Sequence, residues 1–78
     1  MRTIGIDVSK ATLDVALRDE NGIVEEERTK NSAAALKRLL NKWVRQGLCE
    51  QRSLVCFEPT GHYSLEVIKA LLDLGHRP

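Results

Sequence analysis

Residues 53–57, Ser53-Leu54-Val55-Cys56-Phe57, decide the fold. They form an apolar run with polar residues on both sides, Gln51-Arg52 before and Glu58 after. A short apolar run without alternation reads as a strand buried on both faces, as in a parallel sheet. A parallel strand cannot be reached by a tight turn and needs a crossover. The residues upstream supply one. Asn31 or Ser32 caps a helix of about fifteen residues. Leu36, Leu39, Leu40, Trp43 and Val44 recur at i, i+3, i+4, i+7 and i+8, a single apolar stripe. Gly47 ends the helix as a left-handed residue.

Further upstream, residues 2–8 (RTIGIDV) read as a strand with Ile4, Ile6 and Val8 on one face and Thr3, Gly5 and Asp7 on the other. Residues 12–18 (TLDVALR) alternate in the same way, Leu13, Val15 and Leu17 against Asp14 and Ala16. Asp19-Glu20-Asn21-Gly22 then interrupts, and Asn-Gly predicts a hairpin because both residues tolerate positive φ. Residues 23–28 (IVEEER) return as a strand whose three glutamates suit an exposed edge. Downstream, Pro59-Thr60-Gly61 predicts a turn. A second helix follows over 61–74, with Leu65, Ile68 and Leu72 on one face and Gly75 as its stop. A further strand is expected to begin at His76-Arg77-Pro78.

The order is β-β-β-α-β-α. Strand 53–57 should lie parallel beside strand 2–8 in a mixed sheet, with a right-handed crossover. Residues 1–78 then read as the front half of one α/β domain. The open edge of strand 53–57 offers a route to self-association, hence a homo-oligomer.

With 42% apolar and 29% charged residues, the composition is that of a globular domain. It excludes a disordered charged tail, a collagen-like chain and a coiled-coil rod. No apolar stretch is long enough to span a membrane, and the start MRTIGIDVSK lacks the apolar core of a signal peptide, so the expected location is the cytoplasm. Two cysteines make neither a disulfide framework nor a zinc spacing, and Cys56 reads as a small buried hydrophobe. Trp43, Phe57 and Tyr63 fit as core aromatics.

The net charge of +1 neither announces nor excludes a nucleic-acid partner. Its distribution is uneven. Asp19, Glu20, Glu25, Glu26 and Glu27 form an acidic stretch, and Lys30, Lys37, Arg38, Lys42 and Arg45 a basic one. Lys10, Lys37, Arg38 and Lys42 are candidate contacts for a phosphate backbone. The alternative for the helix residues is a solvated face whose late cations suit the helix dipole.

Two carboxylates stand out by position. Asp7 ends the first strand and Glu58 ends the fourth. On parallel neighbours about 4.7–4.9 Å apart, both emerge at the carboxyl edge of the sheet, where α/β sheets place ligands. Two such acids repel unless a cation lies between them, and carboxylate oxygens are what Mg²⁺ prefers. Each acid alone also reads as a turn or helix-mouth residue; the pair favours a metal site. Gly5, one pleat back from Asp7, leaves room for close approach. Asp14 is expected to pair with Lys10 or Arg18. Ser9 and Ser64 have no base to activate them, and His62 and His76 stand alone.

Gly5-Ile6-Asp7-Val8-Ser9-Lys10 followed by Leu13-Asp14-Val15 resembles the opening of the DEDD-type insertion-sequence transposases, the insertion sequence 110 family, which includes the Piv invertases. Phe57-Glu58-Pro59-Thr60-Gly61-His62-Tyr63 resembles the second signature of that family, and Leu74-Gly75-His76-Arg77 is similar to its continuation. The resemblance implies an RNase H-like, RuvC-type domain in which Asp7 and Glu58 are the first two acids of the DEDD set. It also implies Mg²⁺ or Mn²⁺ as cofactor, DNA as partner with a guide or accessory nucleic acid, and phosphodiester cleavage with strand transfer. The other two acids, and a second domain with its own serine, are expected outside residues 1–78. The stretch therefore reads as a fragment that is inactive alone, and neither Ser9 nor Ser64 inherits the serine's role.

Two alternatives stand beside this reading. Gly-Ile-Asp at a strand end also resembles the first phosphate loop of actin-like kinases, where Asp7 would act on Mg-ATP. Val8-Ser9-Lys10-Ala11, however, lacks the glycine such loops use. A non-catalytic α/β interaction module is the other.

Overall fold

A computed structural model describes residues 2–50, 54–57 and 61–74. The elements are β1 (Thr3–Val8), β2 (Thr12–Asp19), β3 (Gly22–Lys30), α1 (Ala33–Arg45), β4 (Leu54–Phe57), one turn of 3-10 helix (Gly61–Ser64) and α2 (Leu65–Asp73). The expected Pro59-Thr60 turn, the Gly75 stop and the strand start at His76-Arg77-Pro78 lie outside the described residues. The strands form one mixed sheet in the order β3-β2-β1-β4. β1 runs antiparallel to β2 and parallel to β4, with Ile4 opposite Val55 and Ile6 opposite Phe57. This α/β arrangement is the RNase H-like front half that the resemblance implies, and β3 occupies an edge as its glutamates predict.

Alternation fixes which face is buried. Ile4 and Ile6 of β1, Leu13, Val15 and Leu17 of β2, and Val55 of β4 join Leu36, Leu39, Leu40 and Trp43 of α1 in a single core. Ser32 caps α1, its hydroxyl accepting from the Ala35 N–H at 3.1 Å. At the other end Gly47 takes φ +73°, the Leu48 N–H donates to the Trp43 carbonyl and the Gly47 N–H to that of Val44. These are the two bonds of a Schellman stop, and they satisfy carbonyls that the helix itself leaves open.

Four expectations are corrected. The hairpin pivots on Glu20-Asn21, with Asp19 opposite Gly22, and only Gly22 has positive φ, at +121°. The Asp19 carboxylate accepts from the Asn21 N–H at 2.8 Å, which stabilises the earlier turn. In α2 the buried side chains are Val67, Ala70 and Leu71, while Leu65 and Leu72 point outward at 65% and 58% exposure. Both stripes have helical spacing; small Ala70 admits a close approach to α1, and the Glu66 carboxylate accepts from the Ala33 N–H at 3.1 Å, fixing the rotation. Cys56 is exposed and Cys49 is the buried cysteine, because the described helices cover one face of the sheet and Cys56 lies on the other. Tyr63 is exposed, unlike Trp43 in the core.

The two faces of α2 give a direct test. Leu71→Ala should cost about 2–5 kcal/mol of stability, whereas Leu72→Ala should stay within about 0.5 kcal/mol of the parent. Urea unfolding of the two variants measures both, and equal costs would contradict the assigned rotation.

Candidate active site

The face of the sheet away from the helices is where polar chemistry collects. Every second residue of β1 and β2 must point there. Asp7, penultimate in β1, lies directly opposite Asp14 on β2. Opposed residues on one face have Cβ atoms about 4.5–5.5 Å apart, and like charges so placed are unfavourable. The next strand answers this. Arg28 lies opposite Asp14 and grips it with two bonds, Nε to Oδ1 at 2.8 Å and Nη2 to Oδ2 at 3.3 Å. The bond to Asp14, and then its charge, raise the Arg28 pKa above its usual value. The guanidinium is thus cationic at any working pH. Asp14 therefore pairs with Arg28 and not with Lys10 or Arg18; in a strand, Arg18 is four residues and two pleats away.

One row below, Cys56, Gly5 and Ala16 lie side by side across β4, β1 and β2. Their small side chains floor an open concavity rimmed by Asp7, Asp14 and Arg28. A Cβ placed on Gly5 would meet nothing within 4 Å, so the room expected above Gly5 is present.

Glu58 lies outside the described residues. Phe57, to which it is bonded, is the register partner of Ile6, the residue before Asp7. Among the described residues no three carboxylate, imidazole or thiol groups converge as a metal cage. Asp7 is exposed on the open face and offers hard oxygens, a donor type that suits Mg²⁺.

The candidate cations are distributed differently. Lys10 is exposed in the loop that follows Asp7. Lys37, Arg38 and Lys42 sit on α1, which packs against the opposite face. Lys37 pairs with Asp73 of α2 at 3.1 Å and Lys42 with Glu27 of β3 at 2.8 Å. The Ser9 hydroxyl lies 2.8 Å from that of Thr12 and 2.9 Å from its carbonyl, a closed loop contact with no base.

Residues 4–77 match the family model of the insertion sequence 110 DEDD transposases, described as transposase. The chain belongs to this transposase family. The match spans both quoted signatures and sets the kinase alternative aside. No curated protein matches the chain. Among the described residues, no helix is long and apolar enough to cross a membrane.

The openness above Gly5 is testable. Gly5→Ala should leave the transposase folded, with stability unchanged or raised by up to about 0.5–1 kcal/mol, since glycine inside a strand is entropically costly. A loss beyond about 1 kcal/mol in thermal or urea unfolding would show that this face is closed.

Proposed function

We propose that this chain supplies the first two acids of a metal-dependent centre for DNA phosphodiester cleavage and strand transfer. Asp7 and Glu58 would hold Mg²⁺ or Mn²⁺. The observation that carries the reading is the place of Asp7. It stands at the carboxyl end of a strand paired on both edges, on the uncovered face, one residue beyond the register partner of Phe57. Open α/β sheets bind ligands at this edge. When bound, the metal would polarise phosphoryl oxygens and stabilise attacking and leaving oxygens.

The neighbouring side chains have separable tasks. Arg28 neutralises Asp14, so the carboxylate of Asp7 is left to a cation without a second uncompensated acid opposite it. Arg28 uses two of its five N–H donors on Asp14 and keeps the rest for a phosphate. Lys10 is the favoured backbone contact among the candidate cations because it is exposed three residues after Asp7, in the loop that leaves β1. Contact through Lys37 or Lys42 would require release from Asp73 or Glu27. A guide or accessory nucleic acid would draw on the same cationic side chains. The outer edge of β4, which has no further strand among the described residues, is the place for self-association.

In the intact transposase, Asp7→Asn and Glu58→Gln should each lower Mg²⁺-dependent strand cleavage by more than about 100-fold, beyond the range typical of groups that only support a ligand. The unfolding midpoint of Asp7→Asn should hold or rise, because the substitution removes a negative charge opposite Asp14. Chelation should abolish cleavage and Mn²⁺ restore it. Cleavage that survives Asp7→Asn or chelation overturns the reading. Residues 1–78 alone should cleave nothing, since the family pattern calls on two more acids; metal-dependent nicking by that stretch, lost in Asp7→Asn, would refute this.

A further inference from the structure

The open face carries two arginines, and the fold employs only one. Arg28 faces Asp14 and binds it. Arg18 lies on β2, four residues along from Asp14 and on the same face. Its cross-strand neighbours are Thr3 on β1 and Ile23 on β3, both uncharged, so no acid stands opposite it. The acid diagonal to it, Glu26, faces Ala16 and makes no ion pair with it. Among the described residues Arg18 has no hydrogen-bond or ion-pair partner. It is exposed and lines the same concavity as Asp7.

Asp7 and Arg18 stand at opposite ends of that concavity. Asp7 is level with Asp14, and the four residues of strand from there to Arg18 span about 13 Å. The floor between them is Gly5, Ala16 and Cys56, small enough for a chain to lie close to the sheet. Glu26 borders that floor on the β3 side and repels phosphate there. A DNA strand with one phosphodiester held through a cation at Asp7 is thereby directed over Gly5 and Ala16 toward Arg18. Successive phosphates of one strand advance about 3.4 Å along a duplex axis. The interval to Arg18 then corresponds to no more than about four nucleotides. A guanidinium suits that end, because its planar fork of donors matches two oxygens of one phosphate.

We propose that Arg18 is a substrate-binding residue. Its guanidinium holds a backbone phosphate of the DNA strand being cut, up to about four nucleotides from the scissile bond at Asp7. The strand therefore runs along β2 across the small-residue floor, with its reacting end at Asp7 and its anchored end at Arg18. This rests on the reading of Asp7 as a metal ligand. It adds a contact that neither signature contains, and it turns the open face from a point of chemistry into a track with a direction.

The test is binding of the intact transposase to DNA of its own element end, with Ca²⁺ in place of Mg²⁺ so that no strand is cut. Arg18→Ala should weaken binding by about tenfold, the worth of one charge-assisted hydrogen bond. It should also lower the slope of affinity against salt by about one. Arg18→Lys, which keeps the charge without the fork, should recover part of both. Unfolding midpoints should not move, because Arg18 has no partner to lose. Single uncharged methylphosphonates, placed in turn along the cleaved strand, locate the contact. One position within about four nucleotides of the scissile bond should weaken the parent by the same factor and leave Arg18→Ala unaffected. Losses that add at every position overturn the proposal, as does unchanged affinity in Arg18→Glu. A coupled phosphate that lies farther away, or in an accessory nucleic acid, overturns it too. Asp7→Asn separates the two readings: it should remove the Ca²⁺ dependence of binding and leave the Arg18 salt effect in place. Persistence of that Ca²⁺ dependence would count against the metal reading, whereas the methylphosphonate coupling reports on Arg18 alone.

Discussion

Strand β1 is hydrogen-bonded on both edges, antiparallel to β2 and parallel to β4, and the rest of the molecule follows from that double obligation. The antiparallel neighbour is reached by a short loop. The parallel one is not, because the chain must first return to the starting end of the sheet. Helix α1 makes the return, and its apolar stripe needs a surface to cover. The alternation of β1 and β2 provides one by sending Ile4, Ile6, Leu13, Val15 and Leu17 to the same side. Their neighbours in sequence have no choice but the other side. The face carrying Asp7, Asp14 and the small residues Gly5, Ala16 and Cys56 is therefore the complement of the core.

Electrostatics on that face depends on one irregularity in β3. Next to the turn, Asp19 faces Gly22 and Arg18 faces Ile23. From Leu17 onward the pairing slips by one, Leu17 facing Glu25, so Val24 is the extra residue of a bulge. Without the slip, Asp14 would face Glu27, and three acids would stand in the row of Asp7. With it, Arg28 faces Asp14, while Glu27 turns to the helix side and meets Lys42. A single inserted residue exchanges repulsion for an ion pair on each face, because one step of register reverses every side chain beyond it.

This is also where the sequence stops being legible. Strand identities, the α1 stripe, a cap at Asn31 or Ser32 and the Gly47 stop all rest on local spacing, and they are readable because each is decided within a few residues. The place of Asp7 at the carboxyl end of β1 follows from the same spacing. The partner of Asp14 does not. It depends on where the hairpin pivots and on a bulge, and Asn21-Gly22 points to a turn one residue too late. The rotation of α2 is hidden for a related reason. Leu65, Ile68 and Leu72 make as good a stripe as Val67, Ala70, Leu71 and Leu74, and Glu66 reaching back to Ala33 selects between them. Burial of Cys56 depends on what covers the second face, which no local pattern records. Asn31 sits where a helix cap is expected, and its bonds to Ser9 and Tyr63 connect segments that only the fold brings together.

The cations of α1 illustrate how local and global readings part. In sequence they form an uninterrupted basic stretch, an attractive partner for a phosphate backbone. In the fold, Lys37 ties α1 to α2 through Asp73, and Lys42 ties it to β3 through Glu27. Each pair is partly exposed, and such pairs contribute about 0–1 kcal/mol. That is too little to hold the layers together, which apolar burial already does, but it compensates the charges of Lys37 and Lys42. The charge next to Asp7 is balanced in the same way, with Arg28 set against Asp14. A phosphodiester approaching the open face would then meet neither a broad cationic surface nor a bare acidic one. Among the described residues it would meet the exposed carboxylates of Asp7 and Glu26 beside the Arg18 guanidinium and the Asp14–Arg28 pair, so acid and base are interleaved along the face and neither sign dominates it.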